Sequence, residues 1–310
     1  MHNVGIFFFS SKAALKKDLK LNLENLDPNW ITGFSDAESC FSIIISKRTN
    51  SSWRVSASFE INLHIKDINI LYQIQKFFRV GSVTSRINKN ICVYRVTKIE
   101  DLINIIIPHF FKYPLLTQKY SDFILFTKVV ELISKKEHLN YTGFTTVLSY
   151  YASINRGLSS TISSLYPNII GVDRIKPNLP DCLNPNWVSG FTAGDGGFSI
   201  GIRTNTNQIY FRFHVTQHSR DILLMELFIK FFGFGKVNVR SNQSRCDYYV
   251  QDFLNIYETI IPHFENYPLN NAKELDFLDF KKACNLYKAE NKKNTETIKE
   301  IISKMNSKRK

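Results

Sequence analysis

The chain has 310 residues, 44% hydrophobic and 14% aromatic, which is enough for folded cores and excludes a disordered chain. At this length two domains of ordinary size fit. Forty Lys and Arg against 27 Asp and Glu leave a net charge of +13, which favours an anionic partner such as a nucleic acid or an anionic membrane surface.

The first 24 residues hold a short apolar run, Val4 to Phe9, followed by lysines. The run is too short to span a bilayer, and the order is wrong for a secretory leader, so residues 1–24 read as a loosely held arm. No apolar run of 18 residues occurs elsewhere, and a soluble protein is expected. Asp27-Pro28 then places a capping residue before a proline at the first helical position. A helix of about ten residues is expected, ending near Ser39. Alternation follows. Phe41, Ile43 and Ile45 face one way and Ser42, Ile44, Ser46 and Arg48 the other. Val55, Ala57, Phe59 and Ile61 oppose Arg54, Ser56, Ser58, Glu60 and Asn62. This period of two predicts half-buried strands. A helix over DINILYQIQKFF is next. Two more strands follow, SVTSRIN and ICVYRVT, whose outward residues are Ser82, Thr84, Arg86, Val93, Arg95 and Thr97. Further helices are expected over IEDLINIIIPHF and TQKYSDFILFTKVVELI.

The same order then recurs. NWITGFSDAESCFSI, starting at Asn29, is answered by NWVSGFTAGDGGFSI, starting at Asn186, 157 residues on. LHIKDINILYQIQKFFRVGSV is answered by QHSRDILLMELFIKFFGFGKV, and IPHFFKYPLLTQK by IPHFENYPLNNAK, both at 154 residues. The three extra residues fall near the turn KRTNSSW. This is a duplicated domain, not a solenoid of short units. In the second copy the outward positions are Ser199, Gly201, Arg203 and Asn205; Arg212, His214 and Thr216; Lys236, Asn238 and Arg240; and Asp247, Tyr249 and Gln251. Such polar faces suit phosphates and base edges, although a solvated antiparallel face also alternates.

The fold class expected is α+β. The chain divides into an arm (1–24), a first domain with trailing helices (25–165), a proline-rich linker (166–183), a second domain (184–292) and a basic tail (293–310) that reads as a fraying helix. Cys40, Cys92, Cys182, Cys246 and Cys284 form no C-x-x-C pair, which argues against a disulfide framework or zinc ribbon and for a reducing compartment. His109 and His263 recur in IPHF and read as structural. His64 and His218 recur near a strand end, where a structural role again outweighs contact with phosphate. GFGKV lacks the length and order of a phosphate loop.

The opening helices carry the chemistry. Gly33 and Ala37 lie four apart on one face, as do Gly190 and Gly194, and small residues at this spacing let two helix backbones approach closely. If the two helices pack there, Glu38 and Asp195 meet at their C-terminal ends. Two carboxylates repel, and two negative helix ends add to the repulsion, so a divalent cation such as Mg²⁺ is the natural counter-charge. The carbonyls of Ala37 and Gly194 offer further oxygens. Asp36, matched by Ala193, lies two residues earlier, turned about 200° from the acid position. It reads as a bystander or as a residue acting behind Glu38.

The paired segments resemble the LAGLIDADG motif, and the chain is similar to single-chain, two-motif LAGLIDADG homing endonucleases of fungal mitochondrial introns. The resemblance runs from about Leu26 to Asn291, and includes KEHL, NRGLS and YPNII between the copies. It implies two αββαββα domains about a pseudo-twofold axis, each with a four-stranded DNA-binding saddle. It implies site-specific double-strand DNA cleavage at a long asymmetric target, with metal on Glu38 and Asp195. Mg²⁺ is implied, with Mn²⁺ or Ca²⁺ able to occupy the same sites. Supporting roles fall to Lys119 and Lys273, and Gln217 is implied to position a water. The first copy has Leu63 in place of a glutamine, which puts the equivalence of the two cleavage sites in question. The resemblance also implies a monomer and a mitochondrial location. Two alternatives stay open: an RNA maturase acting on its own intron, and a DNA-binding protein without catalysis.

Overall fold

A computed structural model describes residues 26–49, 52–206, 208–289 and 294–306. The arm expected over 1–24 and the basic cluster at Lys308, Arg309 and Lys310 lie outside them.

The first copy opens on α1 (Pro28–Glu38). Asp27 Oδ1 accepts the Asn29 N–H at 2.8 Å and Pro28 fills the first turn, as the sequence predicts. Strands β1 (Ser39–Lys47) and β2 (Trp53–His64), helix α2 (Ile68–Phe78), and strands β3 (Ser82–Arg86) and β4 (Ile91–Val96) follow. The sheet order is β1-β2-β4-β3, antiparallel throughout. Helix α3 runs through Ile99–Asp101, a wider π-type stretch at Leu102–Ile106, and Ile107–Lys112. Pro108 explains the widening: it lacks an N–H and its ring clashes with the carbonyl a turn earlier. Helix α4 (Lys119–Ser134) completes the unit, and α5 (Tyr141–Ala152) and α6 (Ser160–Leu165) trail it.

The second copy repeats this with α7 (Pro185–Asp195), β5 (Gly196–Ile202), β6 (Ile209–His218), α8 (Ile222–Phe232), β7 (Lys236–Val239) and β8 (Arg245–Val250), in sheet order β5-β6-β8-β7. Helix α9 again has a π-type stretch, Ile256–Ile260, between Phe253–Asn255 and Ile261–Asn266, with Pro262 just beyond it. Helix α10 (Lys273–Lys288) and helix α11 (Asn294–Lys304) are the last elements among the described residues.

Each core is built on one aromatic cluster used twice. Phe41 packs on Phe59, Phe110, Phe123 and Phe126 with ring centroids 5.2–5.4 Å apart. Phe198 packs on Phe213, Phe264, Phe277 and Phe280 at 5.3–5.5 Å. Such rings bury large apolar areas and lock the sheet to its covering helices.

The repeat also reaches further than the sequence motifs show. Asn155 and Asn306, both in the left-handed region, donate a side-chain N–H to the carbonyls of Phe41 and Phe198, each at 3.2 Å. Their backbone N–H groups meet Asp122 and Asp276, each three residues beyond the lysine that opens its helix. The stretch expected to fray is therefore docked: Ile298, Ile301 and Met305 are buried. The linker is also tied down, with Arg174 paired to Asp122 at 2.7 Å and donating to the Gln118 carbonyl at 3.2 Å.

Candidate active site

Helices α1 and α7 pack backbone to backbone. A Cβ placed on Gly33 would lie 2.1 Å from the Trp187 carbonyl oxygen, and one on Gly190 would lie 2.1 Å from that of Trp30. The two approaches mirror each other, which is the signature of a pseudo-twofold axis through the seam. Lower down, a Cβ on Gly194 would meet Ala37 Cβ at 2.3 Å and Glu38 Oε1 at 3.2 Å. Glu38 therefore lies directly beside the residue before Asp195, as the spacing of small residues predicts.

Burial pushes both carboxyls up from their ordinary values. Asp195 rises to about 7, with the charge of Glu38 adding to the effect of burial and the two lysines opposing it. Glu38 rises because burial outweighs Lys273 and Lys119. Gln217 Nε2 donates to Asp195 Oδ2 at 3.1 Å, and its carbonyl oxygen is fixed by the His218 N–H at 2.8 Å. Gln217 thus orients the carboxylate. The first copy has no such partner, because Leu63 stands there.

The two lysines reach the same place from below. Lys119 Nζ donates to the carbonyls of Ser35 at 2.8 Å and Ala37 at 3.3 Å. Lys273 Nζ donates to those of Thr192 at 3.0 Å, Gly194 at 2.7 Å and Gly196 at 2.5 Å. Each ammonium caps the negative end of its own motif helix. The Ala37 and Gly194 carbonyls, expected as metal ligands, here accept from the lysines. Burial pushes both lysines below the ordinary range, Lys273 to about 8. Asp36, Ala37, Lys119, Asp195 and Gln217 line one open cavity of about 270 Å³.

Asp36 is not a bystander. It is buried, and its oxygens accept the N–H groups of Leu116 (2.9 Å) and Thr117 (3.1 Å), the Thr117 hydroxyl (2.7 Å) and, across the seam, Trp187 Nε1 (2.9 Å). It therefore fixes the loop that delivers Lys119. The second copy does the same job with other groups: Asn271, matching Thr117, donates to the Ala193 carbonyl at 2.9 Å and accepts the Lys273 N–H at 3.2 Å. Asp36→Ala leaves three buried N–H donors unpaired and should cost about 3–5 kcal/mol in urea unfolding. A loss under about 1 kcal/mol would contradict this reading.

A second device crosses the seam. Asp221 Oδ1 accepts the Gln118 N–H at 2.8 Å, and Asp67 Oδ1 accepts the Ala272 N–H at 2.8 Å. Both acids recur at one place in the repeat, the signal by which the sequence marks them.

The saddle register puts the expected outward residues of the strands on one face. Ser42 pairs with Ser58, Ile44 with Ser56, Ser46 with Arg54, Glu60 with Arg95 and Thr84 with Val93. In the second sheet Ser199 pairs with Arg212, His214 with Tyr249, Thr216 with Asp247, Lys236 with Tyr249 and Asn238 with Asp247. Three expected contact residues are covered rather than open, namely Ser58, Val93 and Asp247, because neighbours lie over them. Ser58 donates to Glu60 at 2.6 Å, and Glu60 holds Arg95 at 3.0 Å. Asp247 holds Arg240 through two N–H groups, at 2.6 and 2.8 Å, and accepts from Thr216 at 2.5 Å. Arg212 stacks over Tyr249 at 4.6 Å. Burial, with the Arg212 charge adding to it, lowers His214 to about 4 and keeps it neutral at pH 7. Tyr210, opposite Gly201 on this face and partly exposed, was not among the expected residues. His109 and His263 are structural, as expected: each Nε2 meets a motif-helix hydroxyl, Thr32 at 3.2 Å and Ser189 at 3.3 Å. Among the described residues no helix is long and apolar enough to cross a membrane.

Known proteins resemble this chain in sequence and in fold. The sequence model of the family described as LAGLIDADG endonuclease matches twice, over residues 31–130 and 188–284. The probable intron-encoded endonuclease 2 of Neurospora crassa is 37% identical over 297 residues, covering 91% of this chain and 65% of that protein. The chain spans between 50% and 65% of the lengths of two such Neurospora crassa relatives. Among solved structures, the LAGLIDADG homing endonuclease I-GzeII in complex with its DNA target is 34% identical with a TM-score of 0.87, covering 92% of this chain and 100% of that one. I-SmaMI bound to an uncleaved DNA target in the presence of calcium ions is 32% identical with a TM-score of 0.87, covering 91% of this chain and 99% of that one. With two motif helices packed along one seam and an acid and a lysine from each copy at its end, this chain belongs to the LAGLIDADG endonuclease family.

Proposed function

We propose that this chain is a site-specific double-strand DNA endonuclease that reads a long asymmetric target with its two saddles and hydrolyses one phosphodiester in each strand at the seam. The observation that carries this reading is the meeting of Glu38 and Asp195 at the ends of α1 and α7, with one lysine from each copy behind them. The saddle faces differ residue by residue, so the target need not be palindromic. A strand of ten residues spans ~33 Å, about one turn of duplex, and two saddles cover about two turns.

The donor set suits a hard divalent cation. Burial holds the two carboxyls above their ordinary range even with Lys119 and Lys273 beside them, and carboxylate oxygens are the ligands such a cation prefers. Glu38 and Asp195 would hold it, with Mg²⁺ the physiological choice and Mn²⁺ or Ca²⁺ able to bind. Such a cation supplies Lewis-acid activation of water and charge neutralisation at a phosphodiester. The chain's own residues do the rest. Gln217 fixes the angle of Asp195, and Lys119 and Lys273 offset negative charge that develops beside them. We also propose that the protein acts as a monomer and works in mitochondria, by the family resemblance and its intron-encoded relatives.

The deciding experiment is selection from a pool of random duplexes with Mg²⁺, read by cleavage. One recovered sequence cut in both strands is expected, with affinity falling steeply between 50 and about 200 mM salt. No cut species, or binding indifferent to salt, would sink the reading.

Proton linkage gives a second expectation. The folded value of Asp195 lies above its ordinary one, so without metal the protein loses stability as pH rises towards about 7. Calcium binds the ionised form, so the rise in Tm it produces should be larger at pH 8 than at pH 6. An equal rise at both would contradict the assignment.

A further inference from the structure

We infer that Asp67 and Asp221 are positioning residues that place each lysine from the opposite copy, so that neither half of the site is complete until the two copies dock. This rests on the endonuclease reading and deepens it.

The geometry is reciprocal. Asp221, at the start of α8 in the second copy, accepts the N–H of Gln118, the residue before Lys119 in the first. Asp67, at the start of α2 in the first copy, accepts the N–H of Ala272, the residue before Lys273 in the second. Both bonds are 2.8 Å, and both span more than 100 residues of sequence. Neither Gln118 nor Ala272 caps its helix with its own side chain. The first N–H groups of a helix need partners, and a carboxylate there is favoured by the helix dipole. Here the partner comes from the other copy.

The lysines themselves have long flexible stems. Their useful position depends on where α4 and α10 begin. Loops from the same copy fix one side of each start, through Asp36 and Thr117 or through Asn271. The crossed carboxylates fix the other. Asp221 is also buried, so its bond is sheltered from competing water. A displacement of about 1 Å at a group that stabilises charge costs on the order of 100-fold in rate. The half-site served by Lys119 therefore depends on the second copy, and the one served by Lys273 on the first.

The test uses the full chain and the duplex recovered by selection, with its two strands labelled differently. Lys119→Met and Lys273→Met first establish which strand each lysine serves. Asp221→Ala should then slow the strand that Lys119→Met slows, by about 10- to 100-fold. Asp67→Ala should slow the other strand, and calcium-supported DNA affinity should stay within about threefold in both variants. Asp221→Asn and Asp67→Asn keep an acceptor oxygen and should recover most of the rate. A purely structural role would slow both strands together or leave the Asn variants as impaired as the Ala variants, and either result overturns the inference. Amide hydrogen exchange decides the matter without cleavage: Gln118 should lose protection in Asp221→Ala only, and Ala272 in Asp67→Ala only. Should the parent chain cut no duplex, the endonuclease reading fails, and the exchange pattern still supports or overturns the crossed placement.

Discussion

Glu38→Gln and Asp195→Asn should each lower double-strand cleavage by about 1,000-fold or more, while DNA affinity changes little. Both substitutions keep the shape and polarity of the side chain and remove its charge. The loss therefore falls on cation binding at the seam and leaves the arginines and lysines of the saddle strands in place. A second effect runs the other way. Asp195 is held at about 7 mainly by burial, so above that pH its ionised form weakens the metal-free fold. An amide cannot ionise. The metal-free Asp195→Asn protein should melt roughly 3 °C or more above the parent at pH 8, and the gain should shrink towards pH 5. Rate loss joined to a pH-dependent gain in stability identifies a residue kept for function at a cost to the fold. Full cleavage by both variants, or a gain in Tm that does not depend on pH, would remove Glu38 and Asp195 from the proposed site.

Much of this arrangement was legible because the chain states it twice. The α+β architecture followed from alternation, capping prolines and the order of parts. The seam followed from Gly33, Ala37, Gly190 and Gly194, since small residues four apart imply a close helix contact whatever lies opposite. For Asp36 the sequence left two readings, a bystander or a residue acting behind Glu38, because a helical wheel gives a direction and not what occupies it. Turned away from Glu38, it points at the Leu116–Thr117 loop and at Trp187, neither of which is near in sequence. The change from Asp36 to Ala193 becomes intelligible only with its partner change from Thr117 to Asn271: one copy sends a carboxylate to the loop, and the other sends an amide from the loop to a carbonyl. The crossed bonds of Asp67 and Asp221 depend on docking between copies, which no local pattern encodes. The covering of Ser58, Val93 and Asp247 was hidden for a similar reason. Alternation assigns a face but says nothing of neighbours that lie across it.

Gly33→Ala and Gly190→Ala should be among the most damaging single substitutions in the chain. In an ordinary helix this change is mildly stabilising, because alanine loses less backbone entropy on folding. Here the added Cβ would stand 2.1 Å from a main-chain carbonyl oxygen of the other motif helix. A backbone oxygen cannot swing aside as a side chain does, so the helices must part by about 1 Å or more to restore contact distance. That separation loosens the packing of Trp30 and Trp187 and stretches the Asp36–Trp187 bond. Each variant should therefore lose about 3 kcal/mol or more in urea unfolding. The two losses should not add. Once one Cβ has forced the seam open, the second occupies space already made, so the double variant should fall short of the sum by at least about 1 kcal/mol. A single alanine variant as stable as the parent would mean that the helices do not meet at these glycines. Strict additivity would mean that the two contacts do not share one seam.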